Sequence, residues 1–264
     1  MKTVFRYLKY YLLIMKLSYM KSTMYRVDHI LRILRIFIEF GSTILLINAL
    51  FVRTQSLGGW TKPEVFLIYS IWLLILCLHY FLTSGSVFET SNDIRRGNLD
   101  WLLVKPIDSQ FTSSFRQVHI DNILRIVGAV VVLIYSLSRL NIIIAIPNII
   151  LFLFQLISGV VAFYSFMFLS VIMTFMTQGS EQISIFDSLV SVGKYPVDIF
   201  PKYLIPVFWS ILPVAYFSIL PAKTLLGRID TTSYVLSVLL PFILLCVIRY
   251  LWNFSLHHYS SASS

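Results

Sequence analysis

Ionisable residues inside apolar runs are the first places to look for chemistry in this 264-residue chain. A charge in hydrocarbon is costly, so such a residue implies a partner, a water-lined path or a transported ligand. Glu39, Arg125 and Asp187 fit that description. They do not stack as an acidic relay along one helix, which leaves a proton-coupled carrier poorly supported. Glu39 and Asp187 are candidates to line a translocation path. The plainer alternative is pairing with basic groups, or snorkelling to the interface.

Other reactive constellations are missing from the sequence. A phosphate-binding loop needs G-x-x-x-x-G-K-[ST]; Gly193-Lys194 lacks the upstream glycine and runs into Tyr195, so no ATP hydrolysis through such a loop is expected of this chain. The five histidines (His29, His79, His119, His257 and His258) show no ligand spacing, and Cys77 and Cys246 each sit in an apolar run as small hydrophobes. No cofactor and no metal is therefore expected on the chain itself.

The most informative polar stretch is Asn92-Asp93-Ile94-Arg95-Arg96-Gly97-Asn98-Leu99-Asp100-Trp101-Leu102-Leu103-Val104-Lys105-Pro106. Asn92 and Asp93 are good helix initiators and Gly97 a good terminator. A second short amphipathic piece, Leu99–Val104, is stopped by Pro106. A compact helix with an exposed charged face is what a membrane subunit needs to receive force from a partner. A generic loop between spans has the same polarity.

These residues must be positioned by membrane-crossing elements. The chain is 58% hydrophobic and 12% charged, where a soluble domain carries about 25% charged residues. Ile142–Met176 holds no Lys, Arg, Asp or Glu. Runs of about 20 apolar residues cross a bilayer as helices. The net charge of +9 does not point to nucleic acid: eight of the 21 Lys/Arg lie in the first 35 residues, as at a positive-inside terminus. The expected fold is all-α, a single transmembrane domain over 1–264. Residues 1–31 read as an interfacial helix and 87–119 as a polar loop on the same side. Six spans are expected, near 33–51, 64–82, 122–140, 147–176, 182–195 and 234–256. The 35-residue uncharged run is read as one span. Five prolines between Tyr195 and Ala222 suggest a re-entrant helical pair, with one Pro-kinked crossing as the alternative.

The sequence resembles the permeases of the type-2 ABC exporter class (ABC-2). It is most similar to a bacterial subfamily marked by I-x-x-G-x-L-D-x-x-L-x-[KR]-P after the second span, here Ile94 to Pro106 with Gly97, Leu99, Asp100 and Lys105 in place. Gly58-Gly59-Trp60-Thr61, Tyr195-Pro196, Ile199-Phe200, Ile211–Ala215, Pro221-Ala222 and Tyr259–Ser263 add to the likeness, which covers nearly the whole chain. The resemblance implies six spans, a coupling helix between the second and third, and a broken extracellular segment before the last. It implies two permease subunits, identical or homologous, with two separate ATPase subunits that hold ATP and Mg²⁺. It implies a multi-pass protein of the bacterial cytoplasmic membrane, in contact with lipid. Asp93, Ile94, Arg95, Arg96, Gly97, Leu99, Asp100, Lys105 and Pro106 are then the expected ATPase-coupling residues. Drugs, lipids and glycans are substrates of the wider class, and nothing in the sequence selects among them. A secondary carrier or channel is the rival reading; it would need a midplane charged or broken-helix site, usually with internal repeats, and no repeat is visible.

Overall fold

The computed structural model describes residues 2–24, 26–140, 142–177, 179, 181–210 and 214–259, and these form an all-α bundle. The helices are α1 (Lys2–Met24), α2 (Arg26–Leu50), α3 (Lys62–Leu82), α4 (Ser84–Arg96), α5 (Asp100–Leu103), α6 (Ser109–Ser114), α7 (Asn122–Arg139), α8 (Ile146–Thr177) and α9 (Glu181–Val190), then α10 (Ile205–Ser210), α11 (Val214–Phe217), α12 (Ile219–Leu225) and α13 (Thr231–His257). Ile211–Pro213 and Ser260–Ser263, which carried part of the family likeness, lie outside the described residues.

The centre of the bundle is α3. Its first turn holds Pro63, and the Glu64 carboxylate turns back to accept the Thr61 N–H at 2.8 Å, a favoured way to start a helix. Every residue from Glu64 to Cys77 is buried, so α3 is sheathed on all sides by other helices. It packs on α7 and α8. Gly159 of α8 allows close approach: a Cβ there would lie 2.6 Å from Ile75 Cδ1. From Ile146 on, the uncharged run lies in one helix, α8, 32 residues and about 48 Å long. A satisfied polar cluster ties α8 to its neighbours. Gln155 donates to Ser237 Oγ of α13 at 2.8 Å and accepts from Thr224 of α12 at 2.6 Å.

Contacts define two faces. On the near face Tyr7 of α1 meets Phe111 of α6 edge-on at 4.7 Å, and Arg32 of α2 pairs with Asp121 at 2.8 Å. Trp252 of α13 donates to Ser109 there at 3.1 Å. On the far face Trp60 donates to Asp198 at 2.8 Å, and Arg228 pairs with the buried Glu64 at 2.7 Å. The chain runs between these faces along α2, α3, α7, α8 and α13, and once more through α9 and the 3₁₀ turns Ser191–Lys194 and Val197–Ile199. That last passage climbs antiparallel to α3: Asp187 accepts from Tyr80, the Val190 carbonyl from Trp72, and Asp198 from Trp60.

Four of these helices, α3, α7, α8 and α13, are long and apolar enough to cross a membrane. The expected span over 182–195 differs. It is a ten-residue helix, about 15 Å long, continued by 3₁₀ turns, because Gly193 and Pro196 end regular helix early. Arg32 and Arg35 belong to α2, the helix that runs on through Glu39. The described residues of 195–222 form only short helices and turns.

Candidate functional site

The polar connection after α3 folds into an elbow on the near face. Thr83 takes a non-helical φ of −139°, and α4 then starts at Ser84. Its helix is amphipathic: Val87, Thr90, Ser91 and Ile94 are buried at i, i+3, i+4 and i+7 spacing, while Phe88, Arg95 and Arg96 are exposed. Gly97 ends it in the left-handed region at φ 67°, with its N–H on Ile94 O and the Asn98 N–H on Asp93 O. The glycine therefore terminates the helix as its position suggested. Asn92 and Asp93 do not initiate one, since α4 already has two turns before them and the buried face begins at Val87.

Leu99 and Leu102 are fully buried, and α5 pushes them against Phe168, Val171, Ile172, Ile248 and Trp252 of α8 and α13. Trp101, Leu103 and Val104 point the other way, Val104 being 83% exposed. An apolar knuckle thus anchors the elbow while its outer surface offers a tryptophan, two aliphatics, Arg95, Arg96 and Pro106.

Electrostatics fix the elbow's shape. Arg116 donates to Glu89 at 2.8 Å and to Asp93 at 2.6 Å, and its guanidinium lies 5.1 Å from the Trp101 ring centroid. Lys105 covers the same ring at 4.0 Å. Burial depresses the Lys105 pKa, the charge of Arg116 lowers it further, and Asp93 pulls the other way. Ser86 Oγ accepts the Arg116 and Gln117 N–H groups, and Gln117 also donates to Glu89.

A second fastening joins the elbow to the last helix. Asp108 accepts from the Phe111 N–H at 2.9 Å, capping α6, and from Arg249 Nη1 of α13 at 2.8 Å. Burial alone would raise the Asp108 pKa. The hydrogen bonds from Arg249 and Phe111 outweigh it and hold the carboxyl below its ordinary value. Ser91 of α4 bonds to Thr174 of α8 at 2.6 Å, and the Leu99 N–H reaches Tyr259 Oη at 3.3 Å.

The sequence-stated coupling residues therefore divide. Asp93, Ile94, Gly97 and Leu99 build the elbow from within; Arg95, Arg96 and Pro106 are exposed, and Asp100 and Lys105 are half-buried. Arg116, Glu89, Asp108 and Arg249 were not singled out. Arg249 had a signal, a charge inside the apolar run 234–256, and Asp108 a weaker one, an N-cap residue type three positions before Phe111.

The intramembrane candidates are paired. Glu39 of α2 and Arg125 of α7 form an ion pair at 2.7 Å, and Asp187 of α9 accepts from Tyr80 of α3. Both pairs join neighbouring helices, which is the structural alternative to lining a path.

Among known families, a model described as ABC-2 family transporter protein matches residues 37–263. No curated protein and no solved structure matches the chain.

Proposed function

Because the chain belongs to the ABC-2 family of transporter proteins, we propose that it is the permease subunit of an ATP-driven exporter whose ATPase is a separate chain. A membrane permease component of an ABC transporter is the general role that family membership gives. The finer assignments are ours: two ATPase subunits holding ATP and Mg²⁺, a second permease subunit, and the near face turned to the bacterial cytoplasm. Six crossings with both chain ends cytoplasmic follow if each passage between the faces spans the bilayer. The substrate is left undefined.

One observation carries this reading, the elbow of α4 to α6. Its outer surface is exposed, while its inner surface is bonded to α8 through Ser91 and to α13 through Asp108 and Ser109, and α3 continues into it. A push on Arg95, Arg96, Trp101 or Val104 would be passed to three long helices as a rigid-body motion. ATP closing an ATPase dimer would supply that push.

The test replaces Arg95 and Arg96 with alanine and Val104 with aspartate. Asp93 is kept because it anchors Arg116, and Gly97 and Pro106 are kept for the backbone. The permease should remain folded in detergent while copurification of a P-loop-bearing ATPase falls about tenfold or more, since a few exposed anchors dominate such contacts. Unchanged copurification and unchanged ATP turnover would place the contact elsewhere, the basic α1 being the next candidate.

A further inference from the structure

A cavity of about 250 Å³ opens on the near face between α2, α3 and α7. It is lined by Arg32, Arg35 and Arg125, with Asp121, Asn122, His119, Tyr80 and Ile36. The elbow and its contacts do not use it. Among the described residues its lining carries three guanidinium groups and one carboxylate. Two of the arginines are held in place: Arg32 by Asp121 at 2.8 Å and Arg125 by Glu39 at 2.7 Å. Arg35 is exposed and makes no ion pair among the described residues.

We propose that this cavity binds the anionic headgroup of a membrane lipid, through a phosphate ester. Three arguments converge. A guanidinium presents a planar fork of donors that matches phosphate, and it loses little hydration in doing so. Arginines pre-oriented by Asp121 and Glu39 spend little further side-chain entropy on binding. The third argument selects a lipid over a soluble anion. Leu34, Phe37 and Ile38 of α2 and Ile123, Leu124 and Val127 of α7 are exposed apolar side chains flanking the arginines along the same two helices. An acyl chain leaving the cavity would run along these helices into the hydrocarbon, while the headgroup stays at interface depth beside the amphipathic α1. Among the described residues, the ionised groups lining the site are Arg32, Arg35, Arg125 and Asp121, with Glu39 paired to Arg125. The inference rests on the membrane location, not on the ATPase coupling.

The experiment uses the full chain purified in neutral detergent and native mass spectrometry. Phosphatidylglycerol, phosphatidylcholine or inorganic phosphate is titrated in separately. Wild-type protein should retain phosphatidylglycerol about tenfold more strongly than phosphatidylcholine, and Arg35→Gln should remove most of that preference, as expected for one charge-assisted contact. Arg35→Lys should keep part of it, because the charge remains without the fork. Arg139→Gln, a charge loss at the other end of α7, should leave it unchanged. Equal retention of the two lipids, or an unaltered preference in Arg35→Gln, would overturn the assignment. Displacement of the lipid by millimolar inorganic phosphate would overturn the lipid part in favour of a soluble anion. Neither result bears on ATPase copurification, so the two proposals fail separately.

Discussion

At the scale of single residues, Arg116 is the hinge pin of the elbow. Its side chain is only 10% exposed and serves Glu89, Asp93 and the Trp101 face at once. Arg116→Met would keep the length of the chain but remove the guanidinium that Glu89 and Asp93 share. The expected cost is about 2 kcal/mol of stability, read as a lower unfolding temperature in detergent. Asp108 makes a different prediction, in pH. Its folded-state pKa lies below the ordinary aspartate value, so its bond to Arg249 contributes fully above that value and is lost only as pH falls through the folded one. The stability gap between wild type and Asp108→Asn should stay constant from about pH 8 to about pH 5 and close only in stronger acid. A gap that closes near neutrality would contradict the assignment. On the far face, Gly58 (φ 58°) and Gly59 (φ 87°) both need left-handed backbone, but a Cβ at Gly58 would also lie 2.9 Å from the Asp198 carbonyl carbon, while at Gly59 it meets nothing within 4 Å. Gly58→Ala should therefore lose more stability than Gly59→Ala, by about 1 kcal/mol or more, because it pushes Asp198 off Trp60.

At the scale of elements, legibility followed the physics that local sequence carries. Long charge-free runs identify α3, α8 and α13, since a helix hydrophobic over that length has few other homes. Gly97 and Pro106 mark the elbow because both restrict the backbone directly. The start of α4 was not legible. Ser84, Gly85 and Ser86 look like a turn, yet they are helical because Ser86 bonds to residues about thirty positions away, the Arg116 and Gln117 amides. Asp93 likewise looks like a cap and is instead a tertiary partner of Arg116. The site residues on the elbow were named largely from resemblance, and only packing separates those that build it from those it exposes. Helix contact yields its own prediction. Gly159→Ala would place a methyl on Ile75 Cδ1 in a fully buried contact between α8 and α3. Overpacking of this kind costs about 1–3 kcal/mol. Adding Ile75→Val, which deletes the clashing methyl, should restore most of the lost thermal stability. Failure of the double variant to recover would mean that backbone freedom at Gly159, and not contact, sets the cost.

At the scale of the whole molecule, a second permease subunit of the kind proposed above needs a surface to meet, and α9 is the element that looks unfinished. It belongs to a passage between the faces, yet its outward side carries exposed Glu181, Ser184 and Ser188 with Ile185. The serine hydroxyls bond back to Glu181 O and Ser184 O of their own helix, so the surface is small and half-satisfied, not greasy. The exposed sides of α8 and α13 differ: Leu153, Phe154 and Ile157 on one, and Leu236, Leu239 and Ile243 on the other, suit acyl chains. In a bilayer, helices associate through small and hydroxyl residues that permit close backbone approach. The α9 side is thus the expected meeting surface with a second permease, or with the path between two copies. In a background lacking Cys77 and Cys246, Ser188→Cys should give a disulfide-linked dimer on mild oxidation in native membranes. Leu239→Cys and Leu153→Cys, on the lipid-facing sides, should stay monomeric under the same conditions. Ready crosslinking at Leu239→Cys with none at Ser188→Cys would move the dimer contact to α13 and leave the serines of α9 facing water alone.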